Sequence, residues 1–292
     1  MPLGFAKSTL LYSTGSTAAA TGTDNGGFWN SQFKSNDSQQ AKHVVIDAGS
    51  GNDWHDSTNG KFEIMWWSKG TTSDLNSDSK QVVLRTISDP GGGVDNGIFV
   101  EFASDHVQAG TQTGSGGNSF HFFKWSPTNF ATNFLDDNWH HFLFEIDGSS
   151  SKLYVDGVNK TSEATDFSIG GAGQNEIGGT TRFAFIGGST TARNDGSYNG
   201  FRTGSFQFCD VWFLKNTTGN LASNISSIYN SGWVDLRADG RLNDTLPAPD
   251  IFVYAASDGN SLGSALQSGA SLTTVSGTGS SNLIISNSGG PN

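Results

Sequence analysis

Apolar and polar residues alternate with a period of two over several short stretches of this chain, most clearly from Asn138 to Val158, NWHHFLFEIDGSSSKLYVDGV. Phe142, Phe144 and Ile146 alternate with Leu143, Glu145 and Asp147, the pattern of a strand with one face on a core. Asp147-Gly148 and Asp156-Gly157 supply turn residues that tolerate positive φ, so Leu153-Tyr154-Val155 returns as the second strand of a hairpin. Further strands are predicted at Val44 to Asp47, Lys61 to Ser68, Gln81 to Ile87, Gly97 to Ala103, Ser119 to Trp125, Arg182 to Ile186, Thr203 to Leu214, Ile251 to Ala255 and Leu283 to Ile285. Within KFEIMWWS the alternation makes Trp66 the core residue and Trp67 the outward one. Gly91 to Gly93, Gly114 to Gly117 and the long segment Thr165 to Thr180 read as loops. One helix is predicted, Asn220 to Tyr229, where Leu221, Ile225, Ile228 and Tyr229 share a face.

Composition supports an all-β reading, because 39 Gly and 21 Phe with 8 Trp among 292 residues describe short strands joined by turns. A formal charge of −11 argues against nucleic acid as a partner, since phosphate recognition needs a basic surface. No apolar stretch is long enough to suggest a membrane-spanning helix. Cys209 is the sole cysteine and lies in the apolar run Phe206 to Leu214, so it reads as a small core residue. The opening MPLGFAKSTLLYSTG lacks the charged and apolar regions of a secretory signal, so secretion is not expected. Sequons beginning at Asn36, Asn159, Asn216, Asn224 and Asn243 then imply no glycosylation.

The pair Trp139-His140-His141 and Leu153-Tyr154-Val155-Asp156-Gly157 resembles the central hairpin of the laminin-G-like, concanavalin A-like β-sandwiches. The resemblance implies an antiparallel jelly-roll sandwich over residues 42–235, with an extended N-terminal arm at 1–41. Residues 236–292 are expected to form a C-terminal strap or small β appendage, having too few apolar residues for a core of their own. Leu3, Phe5, Phe28, Trp29 and Phe33 stand out in the polar arm and are its candidate anchors for docking on a neighbouring subunit.

Catalysis finds little support in the sequence. Hydrolases of this fold use a Glu-x-Asp-x-x-Glu strand, and here Glu145-Ile146-Asp147 is followed by Ser150 where the general acid would stand. Glu145 and Asp147 therefore read as a solvated strand face and a turn-opening residue. His140 and His141 point to opposite faces of one strand and cannot share an ion. Calcium is the one cofactor the resemblance implies, with Asp89 and Asp95 as candidate ligands beside a Gly-rich loop. Carbohydrate binding requires exposed aromatic faces beside amides and carboxylates, and the loops offer Trp54, His55, His106, Trp125, Arg193, Asn194 and Tyr198 as candidates.

Arm, acidic sandwich and strap together resemble laminin-G-like proteins of marine bacteriophage virions, as do the short stretches Pro2 to Lys7 and Trp233 to Gly240. This implies a non-enzymatic virion structural protein: a capsid decoration, head fibre or tail-associated component displaying a glycan-adhesion sandwich. Other virion proteins, a second copy of the chain and a host surface glycan are its implied partners. A bacterial surface lectin or adhesin is the alternative, and a polysaccharide hydrolase a more distant one.

Overall fold

The computed structural model describes residues 28–30, 43–55, 60–75, 80–87, 97–113, 119–169, 181–187, 191–192, 198–199, 205–236, 246–255, 262–275, 284–286 and 290–291. In chain order the strands begin with β1 (Phe28–Asn30), β2 (His43–Asp47), β3 (Phe62–Lys69), β4 (Lys80–Ile87), β5 (Gly97–Ala103), β6 (Val107–Thr113) and β7 (Ser119–Trp125). The central hairpin is β8 (His140–Ile146) and β9 (Lys152–Val155), followed by β10 (Val158–Asn159), β11 (Thr165–Ile169) and β12 (Phe183–Ile186). The short pair β13 (Thr191–Ala192) and β14 (Tyr198–Asn199) precedes the long β15 (Gln207–Lys215). Then come β16 (Ile251–Ala255), β17 (Leu262–Leu266), β18 (Ser271–Val275) and β19 (Ile284–Ser286).

These strands form an all-β, antiparallel jelly-roll sandwich. One sheet runs β10-β9-β8-β3-β15-β1-β19, with β16 and β17 branching from β15; the other runs β11-β7-β6-β5-β4-β12-β2-β18. Inward residues of both sheets meet in one core. Trp66 lies at its centre, fully buried, stacked on Phe142 at 5.3 Å and Phe144 at 6.0 Å and edge-on to Phe102 at 6.0 Å. Such pairs add about 0.5–1.5 kcal/mol each beyond the area they bury, which favours this arrangement over a loosely packed centre.

The nine-stranded sheet forks at β15. Its pairing with β3 shifts register between Cys209 and Trp212, and Asp210 takes φ 47°, a left-handed conformation that Asp accepts more readily than branched residues. Before this bulge Phe208 pairs with Trp29 of β1; after it Val211 to Phe213 pair with β16. One strand edge therefore receives segments from both ends of the chain. The Trp233 indole N–H donates to the Asp210 carboxylate at 2.7 Å and fixes the bend.

Several expectations change here. Trp29 is fully buried in the sandwich core and Phe28 packs on Trp139 at 5.9 Å, so these two anchors dock on their own sandwich rather than on a neighbour. Leu3, Phe5 and Phe33 lie outside the described residues. The C-terminal segment reaches both sheets: β16 pairs with β15, β18 with β2 and β19 with β1. Part of the segment read as a loop, Thr165–Ile169, is β11, and the hairpin strand β6 was hidden by the polar sequence VQAGTQT. A turn of helix not expected from the sequence, α1 (Phe130–Phe134), follows β7. The predicted helix breaks at Asn224 into α2 (Asn220–Ser223) and α3 (Ile225–Ile228). Cys209 is buried, as its apolar context suggested.

Beyond the nine-stranded sheet lies a second apolar layer. Met65, Leu143, Trp212 and Phe252 on the sheet's outer face pack against Leu221, Ala222, Ile228, Leu236 and Leu246. Trp67 points to this side as its alternation requires, yet is only 6% exposed because Tyr229 stacks on it at 5.6 Å. Glu63, also on this face, accepts from the backbone N–H groups of Asn220 and Leu221 and so anchors the first turn of α2. Burial nevertheless holds its carboxyl above the usual range.

A candidate binding platform on the eight-stranded sheet

Strand pairing places alternate residues of neighbouring strands in rungs on the outer face of the eight-stranded sheet. One rung reads Phe185, Arg85, Phe99, Gly110, Phe122, Phe167 across β12, β4, β5, β6, β7 and β11. Beside it run Val82, Glu101, Gln108, Lys124 and Thr165, and on the other side Gln112 pairs with Phe120. Phe122 stacks on Phe167 at 5.2 Å with planes 24° apart, while Phe99 meets Phe120 edge-on at 6.0 Å and Phe122 at 6.5 Å. Gly110 makes this row possible, since a Cβ there would fall 2.1 Å from the carbonyl oxygen of His121.

Polar groups border the rings. The Arg85 guanidinium donates to the Gln112 side-chain oxygen at 3.2 Å. Glu101, almost fully buried, accepts from Lys80 at 3.2 Å and from the Gln108 amide at 2.8 Å. Lys124 makes no ion pair among the described residues. Phe99 and Arg85 are buried, whereas Phe120, Phe122, Gln108 and Lys124 are half-exposed and Phe167 is 42% exposed. The accessible part is thus an aromatic pair with an amide and an ammonium beside it. Flat apolar rings with hydrogen-bonding groups at their margin suit the C–H face and hydroxyls of a sugar.

The sequence-derived candidates lie elsewhere. Trp54 is fully buried, its indole N–H on the carbonyl of Ile46, and His55 is buried beside it. Trp125 is 1% exposed between Phe130 and Phe134, with its N–H donated to Glu163 at 3.2 Å. These aromatics close the ends of the core, so they offer no free face. His106 is also buried; burial pushes its pKa down, and its Nδ1 bonds the Asp105 carboxylate at 2.6 Å. Tyr198 lies in β14, while Arg193, Asn194, Asp89 and Asp95 fall outside the described residues. Among the described residues no group of three or more His, Cys, Asp or Glu is arranged to hold a metal ion.

The carboxylates near the central hairpin are structurally engaged. Glu145 is buried rather than solvated, bonded to Lys152 at 2.9 Å, and Asp147 pairs with Lys61 at 2.7 Å. The two histidines divide as adjacent strand residues must. His141 is buried against Trp67 at 5.2 Å, and desolvation lowers its pKa to about 4. His140 bridges Asp156 at 2.8 Å and Asp136 at 3.2 Å; these carboxylates outweigh its desolvation and raise its pKa.

The platform had a partial sequence signal. SFHFFKW alternates Phe120, Phe122 and Lys124 with His121, Phe123 and Trp125, but nothing in it tells which side faces the core. Phe167 was missed because its strand sits in a Gly-rich context, and Gln108 because β6 carries few apolar residues.

No family model and no curated protein matches the chain in sequence. Among solved structures it is similar to domains LG4-5 of the mouse laminin α1 chain, with 15% identity and a TM-score of 0.42 over 68% of this chain and 44% of that one. It is also similar to the heptameric SAP-like pentraxin of Limulus polyphemus, with 8% identity and a TM-score of 0.44 over 89% and 98% of the two chains. A third likeness is the CBM40 of the Ruminococcus gnavus IT-sialidase bound to α2,3 sialyllactose, with 15% identity and a TM-score of 0.38 over 58% and 83%.

Proposed function

We propose that this chain is a non-enzymatic binding sandwich that holds a saccharide on the outer face of its eight-stranded sheet and serves as a structural, adhesion-type component of a bacteriophage virion. One observation carries the binding reading: the Phe122 and Phe167 rings are stacked yet left open to solvent beside Gln108 and Lys124. Among the described residues only Val158 and Phe167 are large apolar side chains exposed to this degree, and Val158 stands alone on the β10 edge. Engagement of Glu63 with α2, of Glu145 with Lys152 and of Asp147 with Lys61 supports a binding rather than a hydrolytic role. The virion setting rests on the sequence resemblance.

Binding is tested by calorimetry of the full chain against a panel of bacterial surface polysaccharides, with Phe122→Ala and Phe167→Ala alongside. Saturable binding that both substitutions reduce at least tenfold is expected; binding indifferent to both would overturn the assignment of this face. The virion role is tested separately by quantitative mass spectrometry of purified particles, in which the chain is expected at a fixed copy number. Its absence from particles would leave a surface lectin as the better reading.

A further inference from the structure

We infer that the saccharide taken by this platform is an acidic one, bearing carboxylate or sulfate groups, with Lys124 as the residue that selects it; this rests on the binding reading proposed for the same face. The first support is the local charge. Described residues of the outer face contribute Lys80, Arg85 and Lys124 against Glu101, and Asp47, which Arg182 holds at 2.6 Å. Asp105, at the turn after β5, keeps its charge, because the buried His106 that contacts it at 2.6 Å has its pKa pushed down. This face is therefore net positive on a chain whose formal charge is −11.

The second support is which charges are already committed. Glu101 binds both Lys80 and Gln108 at its Oε1, and Arg85 is buried against Gln112. Lys124 differs: it is half-exposed, has no ion pair among the described residues, and neighbours Phe122 two residues along the same strand face. A ring stacked on Phe122 and Phe167 would bring an equatorial acidic substituent towards the Lys124 ammonium and its hydroxyls towards the Gln108 amide. At such a half-exposed site one ion pair contributes on the order of 1 kcal/mol, about fivefold in affinity.

The test uses the full chain and two matched pairs of probes: polygalacturonate with its fully methyl-esterified form, and a sulfated galactan with the unsulfated one. Calorimetry at low and at physiological salt is expected to show each acidic form bound at least fivefold more tightly than its neutral partner, with the preference shrinking as salt rises. Lys124→Gln should abolish the preference by weakening the acidic form more than the neutral one, and thermal melting of this surface variant checks that the fold is intact. Equal binding of acidic and neutral forms, or an acidic preference untouched by Lys124→Gln, overturns the charge assignment and leaves the saccharide reading standing. Acidic binding that survives Phe122→Ala and Phe167→Ala is nonspecific attraction and overturns it too. Binding of neither form of either pair overturns both this inference and the reading beneath it.

Discussion

The two outer faces of the sandwich are built from the same alternating strands and end in opposite states. On the nine-stranded sheet, Trp67, Trp212 and Leu143 are covered by Tyr229, by α2 and α3, and by Leu236 and Leu246. On the eight-stranded sheet, Phe122 and Phe167 keep accessible faces. The difference lies in the segments that the chain lays over each sheet. After β15 the sequence supplies Leu221, Ile225 and Ile228 at helical spacing, an apolar roof that Glu63 anchors at its first turn. No described segment supplies such a roof above β7 and β11. An aromatic strand face therefore becomes a second core or stays an accessible platform depending on its covering, and the two should respond differently to mutation.

The largest expected contrast comes from Trp212→Ala. This side chain is fully buried between Phe252 at 4.8 Å and the roof, so truncation should cost about 3–5 kcal/mol by chemical denaturation. A loss under about 1 kcal/mol would mean that the roof is not closed in solution.

Acid should open the covered face next. The His141 pKa of about 4 lies below the usual value near 6.5 for the unfolded chain, so the unfolded state takes up the proton first as pH falls. The stability held by neutral His141 is complete above pH 6.5 and is lost progressively as pH falls towards about 4, amounting to about 3 kcal/mol at the acid end. The urea midpoint of the wild type should fall relative to that of His141→Phe over this window as pH is lowered. Parallel curves would show that the imidazole is hydrated in the folded state.

A smaller effect is expected from Tyr229→Ala, which removes the stack on Trp67 and should cost about 1–2 kcal/mol without altering saccharide binding. Smallest in stability is Phe167→Ala, within about 1 kcal/mol because the ring is already part-exposed, although binding should fall at least tenfold. If Phe167→Ala instead destabilised the chain by several kcal/mol, the platform would be a second covered core and the contrast between the faces would disappear.

Legibility followed the physics of each signal. The central hairpin, Trp66 and Cys209 could be read because period-two alternation, turn residues and an apolar run act locally. β6 and β11 could not, because Val107–Thr113 and Thr165–Ile169 carry few apolar residues and are held as strands by pairing with their neighbours. The candidate site was misplaced for a related reason. Trp54, His55 and Trp125 follow or end strands, where sequence makes them resemble exposed rim residues; the folded chain turns them inward to close the core.

By itself the sequence determined the class of fold and the positions of its strongest strands, because alternation and turn chemistry are properties of neighbouring residues. The tertiary structure decided that Trp29 and the C-terminal strands complete the sheets, that one outer face is roofed, and that Phe122 and Phe167 form an accessible pair. Those outcomes depend on which distant segment reaches a given strand edge or face first, and alternation marks both faces of a strand without naming the one that will be covered.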